Sequence, residues 1–319
     1  MVTARHCTII IPAYNEAENL LHVVPQIVDH IKKIDSAFKI IIVNDGSNDD
    51  TAGSMAKLAK KYPQIRNEHQ IRNLGKAAAL KHGFAIADEI GSKIVIMMDA
   101  DGQDDPAELA TLMGKLDEGF DLVTGARYTR NDRFIKRTTS RLYNKVTSTI
   151  SGVPGKDFNS GFKVMRIETA RVVGPMMYGE MHRYLTVIAS WNGFRITEVH
   201  VTHHPRVFGK SKYGIARFWR GFMDLITIRF LLSYENRPSH LIGGLGIISL
   251  VIGSGMLVYL GIAQIFGESI GERPMLTVAV LFVVVGVQLI LFGLLAELMV
   301  FMRHRGEPAG QQRVVSKKK

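Results

Sequence analysis

The stretch 93–109, KIVIMMDADGQDDPAEL, constrains this chain more than any other. Residues 94–98 form a short continuous apolar run, which suits a strand buried on both faces of a sheet. The run ends abruptly in Asp99, Asp101, Asp104 and Asp105, and Pro106 then suits the first turn of a helix. On an extended backbone, residues two apart point to the same side, so Asp99 and Asp101 can converge at the strand's carboxyl end. Hard oxygen donors from one or two carboxylates, with positions left open for phosphate oxygens, are how Mg²⁺ or Mn²⁺ is held beside a nucleotide. The same residues also read as an acidic turn that caps the next helix, with Asp105 as N-cap.

Other segments repeat the pattern. Residues 8–11 are a β-branched run stopped by Pro12, and a helix opening at Asn15 or Ala17 is predicted to continue to about Ile34. Residues 38–43 read as a second buried strand, ending in Asn44-Asp45-Gly46-Ser47, with a helix over 51–62 after it. Arg72-Asn73-Leu74-Gly75-Lys76 leads into an Ala-rich helix over 77–87, and then comes the central strand. Strands alternating with helices argue for a parallel α/β sheet, whose ligands collect at the strands' carboxyl ends. The acidic loops after Val43 and Met98 would then face one crevice. Taken singly, Asp45-Gly46-Ser47 is also a plain turn, and Arg72 and Lys76 are also solvated charge. The order favours a nucleotide, which needs an acceptor for its base or ribose, cations for its phosphates and a metal site. Neither a G-x-G-x-x-G following a strand nor a G-x-x-x-x-G-K-[ST] occurs, which speaks against a dinucleotide fold and a P-loop.

Further along, Arg133, Lys136, Arg137 and Arg141 form a basic cluster, and the last three could share a helical face, whether for a ligand or as a solvated surface. Asp157-Phe158-Asn159-Ser160-Gly161-Phe162-Lys163 follows a Pro-Gly turn, and Glu180-Met181-His182-Arg183 precedes an amphipathic run over 184–189. A strand over 194–201 leads into His203-His204-Pro205-Arg206 and Gly209-Lys210-Ser211-Lys212. No cysteine or spaced ligand set completes a zinc site around these histidines. Residues 213–237 mix aromatic and basic side chains as an interfacial membrane helix does. Segments 241–266 and 274–302 are each long enough to span a bilayer.

Composition agrees with a chain of two characters. It is 46% hydrophobic yet 22% charged, with mean hydropathy +0.08, as expected of a soluble part joined to a membrane part. The net charge of +11 calls for an anionic partner. Basic tracts flanking two spans are more simply cytoplasmic anchors than a nucleic-acid surface, and the positive-inside rule puts the α/β part and the basic tail both in the cytoplasm. The single cysteine, Cys7, excludes an intrachain disulfide and reads as a packing residue in a reducing compartment. The amino terminus runs straight into a strand with no apolar h-region of a signal peptide.

Five motifs now stand in order: Ile11-Pro12-Ala13-Tyr14-Asn15-Glu16, Val43-Asn44-Asp45-Gly46-Ser47, Asn73-Leu74-Gly75-Lys76, Asp99-Ala100-Asp101-Gly102-Gln103 and Ser160-Gly161-Phe162. Together they resemble family-2 glycosyltransferases of the GT-A fold, and more narrowly the polyprenyl-phosphate, dolichol-phosphate mannose synthase-like group. The resemblance covers about residues 8–213. It implies a GT-A (Rossmann-like) α/β domain over 1–212, juxtamembrane amphipathic helices over 213–239, two transmembrane helices within 240–303 and a basic tail over 304–319. It implies a multi-pass protein of the inner membrane, with its catalytic domain and both termini cytoplasmic.

By the same resemblance, Pro12, Tyr14, Glu16, Lys76 and Ala100 would serve the nucleotide sugar and Asp45 its base. Asp99 would sit near ribose and metal, and Asp99, Asp101 and Gln103 would hold Mg²⁺ or Mn²⁺. Arg127 would contact the donor phosphates or the acceptor. Arg206, Lys210 and Ser211 resemble a loop that closes over donor and lipid phosphate. Asn44 stands where many relatives carry a first Asp, and Gly102 where they often carry a larger residue. The implied reaction is inverting transfer of a hexose from a UDP- or GDP-sugar to polyprenyl phosphate. Arg133, Arg137, Arg206 and Lys210 would neutralise the lipid phosphate, and Asp157 or Glu180 could orient the acceptor. Transfer to a lipid hydroxyl such as diacylglycerol, which needs a base, and a non-catalytic scaffold on the same fold are the rival readings. The bilayer is an expected partner; a second copy of the chain, a flippase and a downstream glycosyltransferase are further candidates.

Overall fold

The computed structural model of the chain describes residues 4–127, 134–205, 238–267 and 274–306. The chain divides into two compact units, Met1–Leu225 and Ile226–Lys319.

The first unit is built on one seven-stranded sheet of order β3-β2-β1-β4-β6-β5-β7. The strands are β1 (Cys7–Ala13), β2 (Lys39–Asn44), β3 (Ile65–His69), β4 (Ile94–Met97), β5 (Leu122–Ala126), β6 (Lys163–Arg166) and β7 (Ile196–His200). The helices are α1 (Ala17–Ile31), α2 (Thr51–Lys61), α3 (Lys76–Glu89), α4 (Leu109–Asp117), α5 (Phe134–Ser151), α6 (Ile167–Val173) and α7 (Leu185–Trp191). The apolar runs become the central strands: all four residues of β4 are buried, as are the five of Ile40–Asn44 in β2. Leu20, Val23, Val24, Ile27, Val28 and Ile31 recur at helical spacing and form the buried face of α1. These side chains, with Ile9, Ile11, Ile96 and Leu112, belong to one hydrophobic core, each fully buried aliphatic chain contributing on the order of 2 kcal/mol. Strand β3, Ile-Arg-Asn-Glu-His, carries no apolar run; it pairs only with β2 at the sheet edge, where polar side chains are tolerated.

The expected parallel sheet is corrected at one strand. β6 runs antiparallel to both β4 (Ile94↔Arg166, Met97↔Lys163) and β5 (Val123↔Val164), so the sheet is mixed. β1, β2, β3 and β4 form parallel pairs, as do β5 and β7. This direction reversal positions the site. The loops after β1, β2, β4, β5 and β7 all leave from one edge of the sheet. β6 starts from that same edge, so the residues that lead into it, 157–162, arrive there too.

In the second unit α8 (Pro238–Ile265) and α9 (Pro274–Gly306) pack against each other. Ser239–Ile265 and Pro274–Val300 are long and apolar enough to cross a membrane, and side chains such as Ile248, Val251, Leu281 and Leu291 are exposed. Glycine allows close approach: a β-carbon on Gly286 would lie 2.8 Å from the Leu250 amide nitrogen, and one on Gly253 2.8 Å from the Ala279 carbonyl. Glu297 caps α8, accepting from Ser239 Oγ at 2.8 Å and its amide at 3.3 Å, which satisfies donors that a helix start leaves orphaned. The interfacial stretch 213–237 and the tail beyond 306 lie outside the described residues.

Candidate active site

Three loops are laced together at the carboxyl ends of β1 and β2. Asn15, in the left-handed region at φ 56°, donates its amide to Ser47 Oγ and accepts from the Asn48 amide through its own Oδ1. Glu16 donates its amide to Thr51 Oγ1 at 3.1 Å. Tyr14, Glu16 and Pro12 are each half-buried on this edge. Asp45 is buried and accepts from the amides of Leu74 (2.7 Å) and Gly75 (2.9 Å). Burial pushes its carboxyl up, against those two amides. A carboxylate has about four acceptor positions, so Asp45 fixes the 72–75 loop and keeps acceptor capacity. Gly46, at φ 62°, lets that loop approach: a β-carbon there would lie 2.4 Å from the Arg72 carbonyl carbon.

The loop after β4 holds the acidic residues. Asp99 is ion-paired with Lys76 Nζ at 2.5 Å, the side chains being 33% and 29% exposed. Burial pushes the Asp99 carboxyl up, but Lys76, with Arg127 and Lys163 behind it, outweighs that and holds it below the usual carboxylate range. Ala100 is buried, and Asp101 Oδ1 accepts from the Gln103 amide at 3.2 Å. Gln103 and His204 clasp each other: the His204 amide donates to the Gln103 carbonyl at 2.8 Å, and Gln103 Nε2 to the His204 carbonyl at 3.5 Å. That contact uses the side-chain nitrogen of Gln103 and does not use its Oε1. Asp105 does cap the next helix, accepting from the Ala107 amide at 2.9 Å, and also meets His204 Nε2 at 3.0 Å. The capping reading of the acidic loop thus belongs to Asp105, and Asp99 and Asp101 are not used in that cap. Asp104 is buried; burial first, then the nearby Asp99 and Asp101, push its carboxyl up to about 7.

A second ion pair closes the site from the β5 side. Arg127 Nε and Nη2 donate to the two carboxylate oxygens of Asp157 at 2.6 and 3.1 Å, and the Arg127 amide adds a third bond at 3.2 Å. The side chains are 14% and 4% exposed. Asp157, expected to orient an acceptor, is thus committed to holding Arg127. Glu180 likewise pairs with Arg183 at 2.8 Å. Residues not singled out by sequence hold the loop that carries Asp157. Glu198 accepts from the amides of Lys156 (2.8 Å) and Asp157 (3.3 Å). Lys163, fully buried, donates to the carbonyls of Phe158 (3.4 Å) and Ser160. Burial brings its ammonium down to about 8. A lysine directly ahead of the apolar pair Val164-Met165 is the one signal for it in the sequence. Arg133, Arg206, Lys210 and Ser211 lie outside the described residues, as does the side chain of Arg137.

Asp99, Asp101 and Gln103 offer oxygen donors only, which suits a hard divalent cation. Among the described residues no three His, Cys, Asp or Glu side chains converge on one metal position. An open set of two carboxylates completed by substrate phosphate is the arrangement used for Mg²⁺-type ions.

A Rossmann-like half-sheet 3-2-1-4, carrying an Asp-x-Asp loop at the end of β4 with a lysine on it, defines a nucleotide-sugar-dependent transferase of GT-A type. Residues 8–174 match Glycosyl transferase family 2, and the chain belongs to that family. It is 32% identical over 312 residues to dodecaprenyl-phosphate galacturonate synthase of Rhizobium johnstonii, covering 96% of this chain and 91% of that protein. Its fold is similar to that of glucosyl-3-phosphoglycerate synthase from Mycobacterium tuberculosis in complex with Mn²⁺ and UDP-glucose (TM-score 0.54, 20% identity, 70% of this chain and 79% of that one). It is similar also to mannosyltransferase PcManGT from Pyrobaculum calidifontis in complex with GDP-mannose and Mn²⁺ (TM-score 0.53, 17% identity, 91% and 88%).

Proposed function

We propose that this chain transfers a sugar from a nucleotide sugar to polyprenyl phosphate, with inversion, giving a polyprenyl-phosphate sugar and a nucleoside diphosphate. The observation that carries the reading is the site at the sheet's carboxyl edge, where Asp99 meets Lys76 and the Arg127–Asp157 pair closes the β5 side. The acceptor class is supported by the Rhizobium relative, whose similarity runs through the spans as well as the sheet. Mn²⁺ or Mg²⁺, held by Asp99, Asp101 and Gln103, would supply positive charge to the leaving diphosphate. Lys76 and the start of α3, which no side chain caps, face the same charge. Pro12, Tyr14, Glu16, Ala100 and Asp45 form the nucleoside side. Arg127, oriented by Asp157, stabilises phosphate charge as it grows in the transition state. An acceptor phosphate is already ionised at neutral pH, so its oxygen attacks the anomeric carbon without a base while the bond to the diphosphate breaks. A lipid hydroxyl would need a base, and Asp157 and Glu180 are both committed to arginines. Arg133, Arg137, Arg206, Lys210 and Ser211 are assigned to the lipid phosphate, the catalytic unit and both termini to the cytoplasm.

The test is a screen of UDP-glucose, UDP-GlcNAc, UDP-galactose, UDP-galacturonate and GDP-mannose, labelled in the sugar. The acceptor is undecaprenyl phosphate with Mn²⁺ or Mg²⁺, and Asp101→Ala is the control. A mild-acid-labile labelled lipid that disappears in the variant is expected. Label passing only to diacylglycerol would refute the phosphate acceptor, and no transfer by folded protein would return the scaffold reading.

A further inference from the structure

We infer that Lys76 is an exchangeable counter-ion: its ammonium holds the Asp99 carboxylate before substrate binds and passes to the donor's diphosphate when cation and nucleotide enter together. This rests on the reading of Asp99, Asp101 and Gln103 as the cation's side of the site. Asp99 has no other hydrogen-bonding or ion-pair partner among the described residues than Lys76. About a third of each side chain reaches water, against 14% and 4% for the Arg127–Asp157 pair, so of the two pairs this is the one that solvent can reach as it opens. Four carboxylates, Asp99, Asp101, Asp104 and Asp105, crowd this loop. A cation is needed there, and Lys76 provides one.

The position of Lys76 is informative. It is the first residue of a 14-residue helix whose N-cap is Gly75, with no side chain capping the start. A lysine at a helix N-terminus opposes the helix dipole, so helix stability does not explain it. An anion arriving at that N-terminus does, because the amides and the ammonium would then share it. Lysine also suits an exchange: it is a point charge on a flexible stem, with three rotatable donors. A divalent cation entering alone must displace the ammonium from Asp99. With a diphosphate present, the ammonium has another anion to go to. Cation and nucleotide therefore tighten each other's binding, by the same factor in both directions.

The experiment uses the full-length protein in lipid nanodiscs and counts free Mn²⁺ by electron paramagnetic resonance, with and without UDP or GDP, so that no turnover is needed. Lys76→Met is expected to bind Mn²⁺ alone at least threefold tighter than wild type. The nucleotide is expected to bind it at least tenfold more weakly, and the factor by which nucleotide tightens Mn²⁺ is expected to shrink. Lys76→Gln, which keeps a polar side chain at this half-buried position, is the second variant and should move the same way. Mn²⁺ binding that is unchanged or weaker in both, while Asp101→Ala abolishes it, overturns the exchange and leaves the cation site standing. Mn²⁺ binding that Asp101→Ala does not affect overturns the cation site and the exchange with it.

Discussion

Gly161 works through the space it leaves. A β-carbon built on it would lie 2.5 Å from Oδ2 of Asp99, so the Ser-Gly-Phe turn packs its backbone directly on the carboxylate assigned to the cation. Gly161→Ala is expected to lower transfer at least tenfold through displaced Asp99, with the melting temperature within a few degrees of wild type; matched kinetics and thermal melts check this. Asp104 makes the opposite demand. Its carboxyl titrates near 7 in the fold against 3.8 for a free side chain, because burial and two neighbouring carboxylates disfavour its charge. The folded state therefore binds the extra proton between these values, and the contribution of this one group to stability is full below about pH 4 and lost as pH rises through 7. The loss is roughly 4 kcal/mol at most. Asp104→Asn should melt higher than wild type at pH 8 in chelator and lose that advantage at pH 4.

Among the elements, β6 is the one that composes the site. Entering from the edge where the parallel strands end, it delivers Asp157 to Arg127 and Gly161 to Asp99, while Glu198 of β7 and its own Lys163 hold the intervening loop. The two membrane-length helices follow a simpler rule, glycine where backbones touch. Gly286→Leu is expected to force α8 and α9 apart and lower the melting temperature of the solubilised protein by several degrees. Gly255→Leu, at a position with nothing within 4 Å, should leave it unchanged.

At the scale of the whole molecule, the excess of basic charge, +11, and the two membrane-length helices belong to one argument. An enzyme whose donor is soluble and whose acceptor is a lipid phosphate works at a membrane surface, and in the proposed orientation basic flanks would hold it on the anionic cytoplasmic face. Because Cys7 is the single cysteine and is buried, an introduced thiol can be read alone. Glu268→Cys, between the spans, is expected to react with an impermeant maleimide in intact cells, and Lys319→Cys only after lysis. The reverse pattern would invert the proposed orientation.

Much of this was legible in the sequence for a physical reason. Apolar runs, turn chemistry, the Asp-x-Asp spacing and spans of membrane length are written in neighbouring residues, so β1, β2, β4, the acidic loop and both long helices could be read locally. The edge strand β3 could not, because its polar residues are tolerated only by its position in the sheet. The direction of β6 depends on partners far along the chain, and so do the pairs that give the site its electrostatics. Lys76 lies 23 residues from Asp99 and Arg127 lies 30 from Asp157. Whether a charge is solvated, paired or buried is settled by what the fold brings beside it, and for Asp104 and Lys163 only the tertiary structure decided that.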